Sequence, residues 1–176
     1  MPVQVAQSGQ WRVGGFSVFP EAEFIRPANT TQYTAGDVVS NGVTKLLLFK
    51  DCVRVPGGSG ILYAGLMFAS TDAATNPNFS LSLFDTLDIT LAADNAASAV
   101  TDDQIKYFAA GAVFDGTMAE MVFTVGANLI VVNSLPAIAF KCAEGSRNLY
   151  GLVVDRGAYT PASAEQFRFR LGIIQD

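Results

Sequence analysis

The stretch QFRFRLGII, Gln166 to Ile174, alternates: Phe167, Phe169, Leu171 and Ile173 are apolar, and Gln166, Arg168 and Arg170 between them are polar. A period of two sends successive side chains to opposite faces of a strand, so this segment has one dry and one wet face. A helix would bring together residues three and four apart and mix the two sets. The same parity runs through NFSLSLFDTLDITL, Asn78 to Leu91, where Phe79, Leu81, Leu83, Leu87, Ile89 and Leu91 share a face. Asp85 interrupts that face and predicts a strand break.

Other segments extend the pattern. GILYAGLMFAS, Gly60 to Ser70, is apolar on both faces and predicts a central strand. VVSNGVT and TKLLLFKD predict a hairpin around Asn41-Gly42. AEMVFTV, LIVVN, AIAFKCAE and NLYGLVVDRG supply further strands. Thr34-Ala35-Gly36-Asp37 fits a type II turn, with Gly36 where positive φ is required. One short α-helix is predicted at about 101–109. Thr101 and Gln104 form its capping box, Asp102 and Asp103 favour its dipole, and Ile105 and Phe108 face the sheet. Short strands punctuated by Gly, Pro and Asn make this an all-β antiparallel sandwich of one domain, residues 29–176.

Residues 1–28 read as an N-terminal arm or irregular lead-in that includes a candidate strand at Glu23 to Arg26, with Arg26 to Gln32 as a hinge. The arm carries Trp11, Phe16, Phe19 and Phe24, too much apolar surface to stand in water, so it packs on its own domain or on a neighbour, and these four are the candidate partner contacts. On this reading a chain without residues 1–25 keeps a folded sandwich.

Composition narrows the function classes. The net charge is −5 and no basic run exists, so nucleic acid is not an expected partner. No apolar run approaches the roughly 20 residues of a membrane helix, so no membrane partner is expected. MPVQVAQSGQW has neither the basic nor the apolar region of a secretory signal. The absence of histidine removes Ser-His-Asp and Cys-His machinery and imidazole-based zinc sites. Cys52 and Cys142 are expected as reduced core thiols.

The remaining polar motifs have structural readings. Pro56 to Gly60 is glycine-rich, but a strand follows it where a phosphate cradle needs Lys-Ser/Thr and a helix. Asp72, Asp85, Asp88 and Asp94 lie close in sequence, yet Asp85 and Asp88 differ in parity and no calcium-loop spacing appears. Arg168 and Arg170 read as solvated charges. The expectation is a non-enzyme with no cofactor and no metal.

Two stretches carry a resemblance. YTAGDVVSNGVTKLLLF, Tyr33 to Phe49, and NLYGLVVDRGAYTPASAEQFRFRLGIIQD, Asn148 to Asp176, resemble segments of structural proteins of tailed-bacteriophage virions. GGSGILYAGLMFAS, NFSLSLFD and AVTDDQIKYFAAGAVF fall between them in the matching order. The resemblance covers roughly residues 26–176, and the arm lies outside it. It implies a jelly-roll-like sandwich and, within that group, a capsid decoration or cement protein. Such a protein is made in the host bacterial cytoplasm and sits as a homotrimer on the capsid exterior, where it clamps major capsid subunits. It transfers no catalytic residue. The alternatives are another virion component (tail, baseplate or head–tail junction) and a glycan-binding jelly-roll module using Tyr107, Tyr150 or Tyr159.

Overall fold

The structure, a computed structural model, describes residues 16–42, 46–71, 76–116, 122–125 and 128–176. Among them are ten strands: β1 (Phe16–Val18), β2 (Glu21–Ile25), β3 (Leu47–Phe49), β4 (Ser59–Ala69), β5 (Asn78–Phe84), β6 (Phe108–Asp115), β7 (Val122–Val125), β8 (Asn128–Lys141), β9 (Leu149–Asp155) and β10 (Gln166–Gln175). The first sheet runs β10-β4-β8-β7, with β1 and β2 lying end to end along the free edge of β10. The second runs β3-β9-β5-β6. All pairings are antiparallel.

The pairings are nested. β2 pairs with β10, β3 with β9, β4 with β8 and β5 with β6, and successive pairs fall in alternate sheets. That is a long hairpin rolled into two layers, the connectivity of a jelly roll. The alternation in β10 decides which side is inside: Phe167, Phe169, Leu171 and Ile173 are all fully buried. Their rings meet those of the second sheet, Phe79 on Phe167 at 5.1 Å and Phe114 on Phe169 at 5.4 Å. Gly151 of β9 is also a packing residue, since a Cβ there would stand 2.8 Å from Leu81 Cδ1 and 2.9 Å from Phe49 Cε2.

Several expectations need correction. The lead-in is not an irregular arm from residue 16 onward. Phe16–Val18 and Glu21–Ile25 are one edge strand of the first sheet, broken at Phe19-Pro20, where an edge tolerates proline. Asn41-Gly42 does not close a hairpin among the described residues. Val38 and Leu47 to Phe49 lie along the same edge of β9. The helix is a single 3₁₀ segment, Asp102–Tyr107. Its Thr101 N–H donates to Gln104 Oε1 at 3.1 Å as the capping box requires; Ile105 is exposed, and Phe108, half exposed, meets the Phe84 ring of β5 edge-on at 6.1 Å. Ala-Gly-rich β6 follows where no strand was read.

The two sheets differ on their outer faces. Residues 85–101 cross the outside of the second sheet as a strap. Val38 N–H donates to the Ala96 carbonyl, and Asn95 N–H donates to that of Val38, both at 2.9 Å. Ile89 thereby packs with Phe84, Leu152, Val38 and Leu46 in a second small core. The first sheet has no such cover among the described residues.

Candidate functional site

The two stretches that carry the resemblance meet in space. Tyr33 bridges to Tyr159, its N–H donating to the Tyr159 carbonyl at 2.9 Å, and the two rings stack at 6.4 Å. Gly36 adopts φ +98°, and the Asp37 N–H closes the type II turn onto the Thr34 carbonyl at 3.0 Å. Beneath this turn lies a buried polar network. Arg26 Nε donates to the Tyr33 hydroxyl, which donates to Asp94 Oδ1 at 2.8 Å, and the Ser40 N–H donates to the same oxygen at 2.8 Å. The guanidinium sits 4.6 Å from the Tyr33 ring centre and 3.7 Å from Asp94 Oδ2. Burial holds the Tyr33 phenol well above its usual range, which keeps it the proton donor to Asp94. A second buried pair, Tyr159 donating to Glu165 Oε2, adjoins the first, and the Arg26 N–H donates to the Glu165 carbonyl at 2.9 Å.

This joint ties the entry segment, the strap and the last loop together. It offers no accessible chemistry, because Arg26, Tyr33, Tyr159 and Glu165 are all buried. Arg26 to Gln32 is therefore more than a hinge: its first residue is an interior anchor.

Asp155 lies at the edge of the joint and is almost fully buried. Neither carboxylate oxygen has a well-formed hydrogen bond. Burial pushes its pKa up to about 6; the Gly157 and Arg156 N–H groups oppose this weakly and the Asp37 charge adds to it. The folded state thus holds this proton more tightly than the unfolded chain, whose Asp titrates near 3.9. The contribution is present below about pH 4 and is lost as pH rises through about 6, amounting to ~2–3 kcal/mol. Asp155→Asn is expected to remove that loss. In urea melts the variant gains stability over the parent between pH 4.5 and 7.5, and a constant difference across that range would refute the assignment.

The acidic candidates do not converge. Asp94 belongs to the Arg26 network and Asp88 is exposed. Asp85 is partly buried with its carboxyl raised by burial, and Asp72 lies outside the described residues. Among the described residues no group of three or more His, Cys, Asp or Glu side chains is placed to hold a metal. Cys52 and Cys142 are free and buried, and burial pushes their thiols to about 12 and about 11, far from reactive thiolates. Arg168 and Arg170 are not simply solvated. They pair across strands with Glu23, at 2.8 Å, and Glu21.

What remains is surface. Of the partner-contact candidates, Phe16 and Phe19 are 60% and 56% exposed, whereas Phe24 is in the core, its ring 5.7 Å from that of Phe167. Parity explains the difference: Ala22 and Phe24 take the inward positions of β2, and Phe24 pairs with inward-facing Phe167. Trp11 lies outside the described residues.

Phe16 stands at one end of the sandwich, under the Arg54 guanidinium at 4.5 Å. There the β3–β4 loop runs beside the β8–β9 loop, with the Cys52 N–H donating to the Arg147 carbonyl at 2.7 Å and the Gly57 N–H to that of Ser146 at 2.8 Å. The outer face of the first sheet is the other open surface. One row across it runs Glu23, Arg168, Phe68, Ile130, Phe123, charged at one edge and apolar at the other, with Phe123 55% exposed. Arg54 and Arg147 had no periodic signal to mark them, since only the meeting of two distant loops brings them to this end.

No family model matches the chain, and no curated protein does. Among solved structures, a chain in the structure of Triatoma virus aligns over 98% of this chain and 71% of its own length. The identity is 7% and the TM-score 0.28, too low to carry an argument about role.

Proposed function

We propose that this chain is a structural protein of a tailed-phage virion and, within that class, a capsid decoration or cement protein. The observation that carries the reading is the joint at Tyr33 and Tyr159. The two stretches on which the resemblance rests are far apart in sequence, yet they fold against each other as one unit. A shared architecture accounts for that better than two chance matches do. As a homotrimer on the capsid exterior, the protein binds neighbouring major capsid subunits and stabilises the assembled state that it recognises. Linked copies gain avidity, so each contact can be weak. Phe16 and Phe19, aromatic and unburied, are the anchors.

The test is binding to purified, expanded heads of the phage that encodes the chain. Cosedimentation at a copy number comparable to the capsid subunits supports the reading. Retention only by tails, or at the count of a single ring, assigns the chain to the tail or the junction instead. Phe16→Ala with Phe19→Ala is expected to weaken head binding about 30-fold, some 2 kcal/mol, with the fold intact because both rings are exposed.

A further inference from the structure

We propose that the loop end of the sandwich holds a binding site for an acidic saccharide, centred on Asp51. Asp51 is one of the few non-glycine residues with positive φ, at 55°. Side chains from two distant parts of the chain hold its backbone there. Its N–H donates to Asn148 Oδ1 at 3.2 Å, and its carbonyl accepts from Gln175 Nε2 at 2.7 Å. Arg147 then fixes the carboxylate at 2.6 Å. Yet the Asp51 side chain is 62% exposed. A carboxylate that only needs water needs no such framing. Aspartate takes this backbone conformation more readily than most residues, and such positions cluster at functional sites.

Its surroundings name the ligand. Lys50, Pro56, Arg147, Asn148 and Tyr150 line a depression of about 570 Å³ beside it. A sugar hydroxyl both donates and accepts, so it suits a place where both kinds of partner face one cavity. Asp51 accepts, and Lys50 and Arg147 donate. Asn148, its Oδ1 taken by the Asp51 N–H, offers its NH₂ group. Tyr150 supplies the aromatic surface on which the C–H face of a pyranose ring rests, with the Pro56 ring nearby. Among the described lining residues there are two cations and one carboxylate, and the guanidinium fork favours a carboxylate on the ligand. An acidic peptide brings backbone N–H donors for Asp51 but no pyranose C–H face for Tyr150. Of the three tyrosines considered for glycan binding, Tyr159 is buried, and Tyr107 and Tyr150 both pack in part on the strap core, but of the three only Tyr150 lines the depression.

The test is an NMR titration of the full ¹⁵N-labelled chain with methyl glucuronide and methyl galacturonide, with methyl glucoside and acetate as comparisons. At least one uronide is expected to shift amides of residues 50–52 and 146–150 saturably, with Kd about 1–10 mM. The glucoside and acetate should bind at least about fivefold more weakly, a difference of ~1 kcal/mol or more. Asp51→Gly keeps the backbone conformation while deleting the carboxylate, so it is expected to abolish binding without loss of thermal stability. Arg147→Ala should weaken binding about tenfold, the share of one charge-assisted pair. Absence of saturable shifts with both uronides overturns the proposal. So do equal affinity for acetate, which leaves only an anion site, and undiminished binding by Asp51→Gly. None of these outcomes depends on whether the chain binds a phage head.

Discussion

A chain lacking residues 1–25 does not fold cooperatively. The deletion removes three paired positions in β1 and five in β2, the whole of one edge of the first sheet. It also removes Phe24, whose ring lies 5.7 Å from Phe167 and 6.4 Å from Phe169. Loss of one such buried aromatic costs about 3–5 kcal/mol. To this is added the unpaired edge of β10, whose N–H and carbonyl groups lose their partners and become a template for association. Set against a total stability of about 5–15 kcal/mol for a domain, the combined loss removes the folded state. Circular dichroism with urea titration is the check: the truncated chain is expected to show no sigmoidal transition and to aggregate. A cooperative transition with the parental m-value would show that β1 and β2 are dispensable. A deletion ending at residue 15 keeps both strands and is the proper construction for testing what the preceding residues contribute to head binding.

That outcome reverses the expectation drawn from the sequence, and the reason is physical. Strands announce themselves when one face is dry and the other wet, as in Gln166 to Ile174, or when both faces are covered, as in Gly60 to Ser70. Those segments lie where they were read. Glu21 to Ile25 alternates too, with Ala22 and Phe24 inward, but at five residues it shows in the sequence only as a candidate strand near Glu23 to Arg26 with no visible pairing partner. β6 is hidden for another reason. Its inward residues include Ala110 and Ala112, small because the sheets approach closely there, and alanine carries no strand signal.

Asn41-Gly42 is a true local signal with the wrong consequence. Gly42 does take φ +78°, but the flanking residues share an edge of β9 instead of pairing with each other, a choice made by a partner more than a hundred residues away. The loop-end surface was the least legible. Asp51, Arg54 and Arg147 are unremarkable where they stand in the chain, and only the jelly-roll connectivity brings their loops together. Phe16 and Phe19 could be picked out because exposed aromatics in a polar context are unusual. Phe24 could not be told from them without its pairing register.

Arg26→Met is expected to cost about 3–5 kcal/mol, the price of stranding a buried charge. The Arg26 side chain is fully buried and the Asp94 side chain nearly so. Methionine fills the stem of the arginine but supplies neither the donor to the Tyr33 hydroxyl nor the positive charge facing Asp94. Asp94 keeps the Tyr33 hydroxyl and the Ser40 N–H, so the site is weakened rather than emptied. The loss should spread along the chain, because Asp94 belongs to the strap and Arg26 to the end of β2. Hydrogen exchange is therefore expected to quicken at Asn95, Ala96 and Ser98, whose N–H groups bond to the strap's contacts with Gly36 and Val38 or to the turn at Ala93. Replacing the three side chains together, Arg26→Met, Tyr33→Phe and Asp94→Leu, should recover only part of the loss: an apolar core tolerates what a half-satisfied ionic one does not, but the buried Ser40 N–H then lacks its acceptor. In a cycle with Asp94→Asn, the coupling between Arg26 and Asp94 is expected at about 1–3 kcal/mol. An unfolding free energy from urea titration for Arg26→Met within about 1 kcal/mol of the parent would mean that water reaches the guanidinium site and that the joint is not sealed as the structure has it, in which case roughly surface-like values of 0–1 kcal/mol apply.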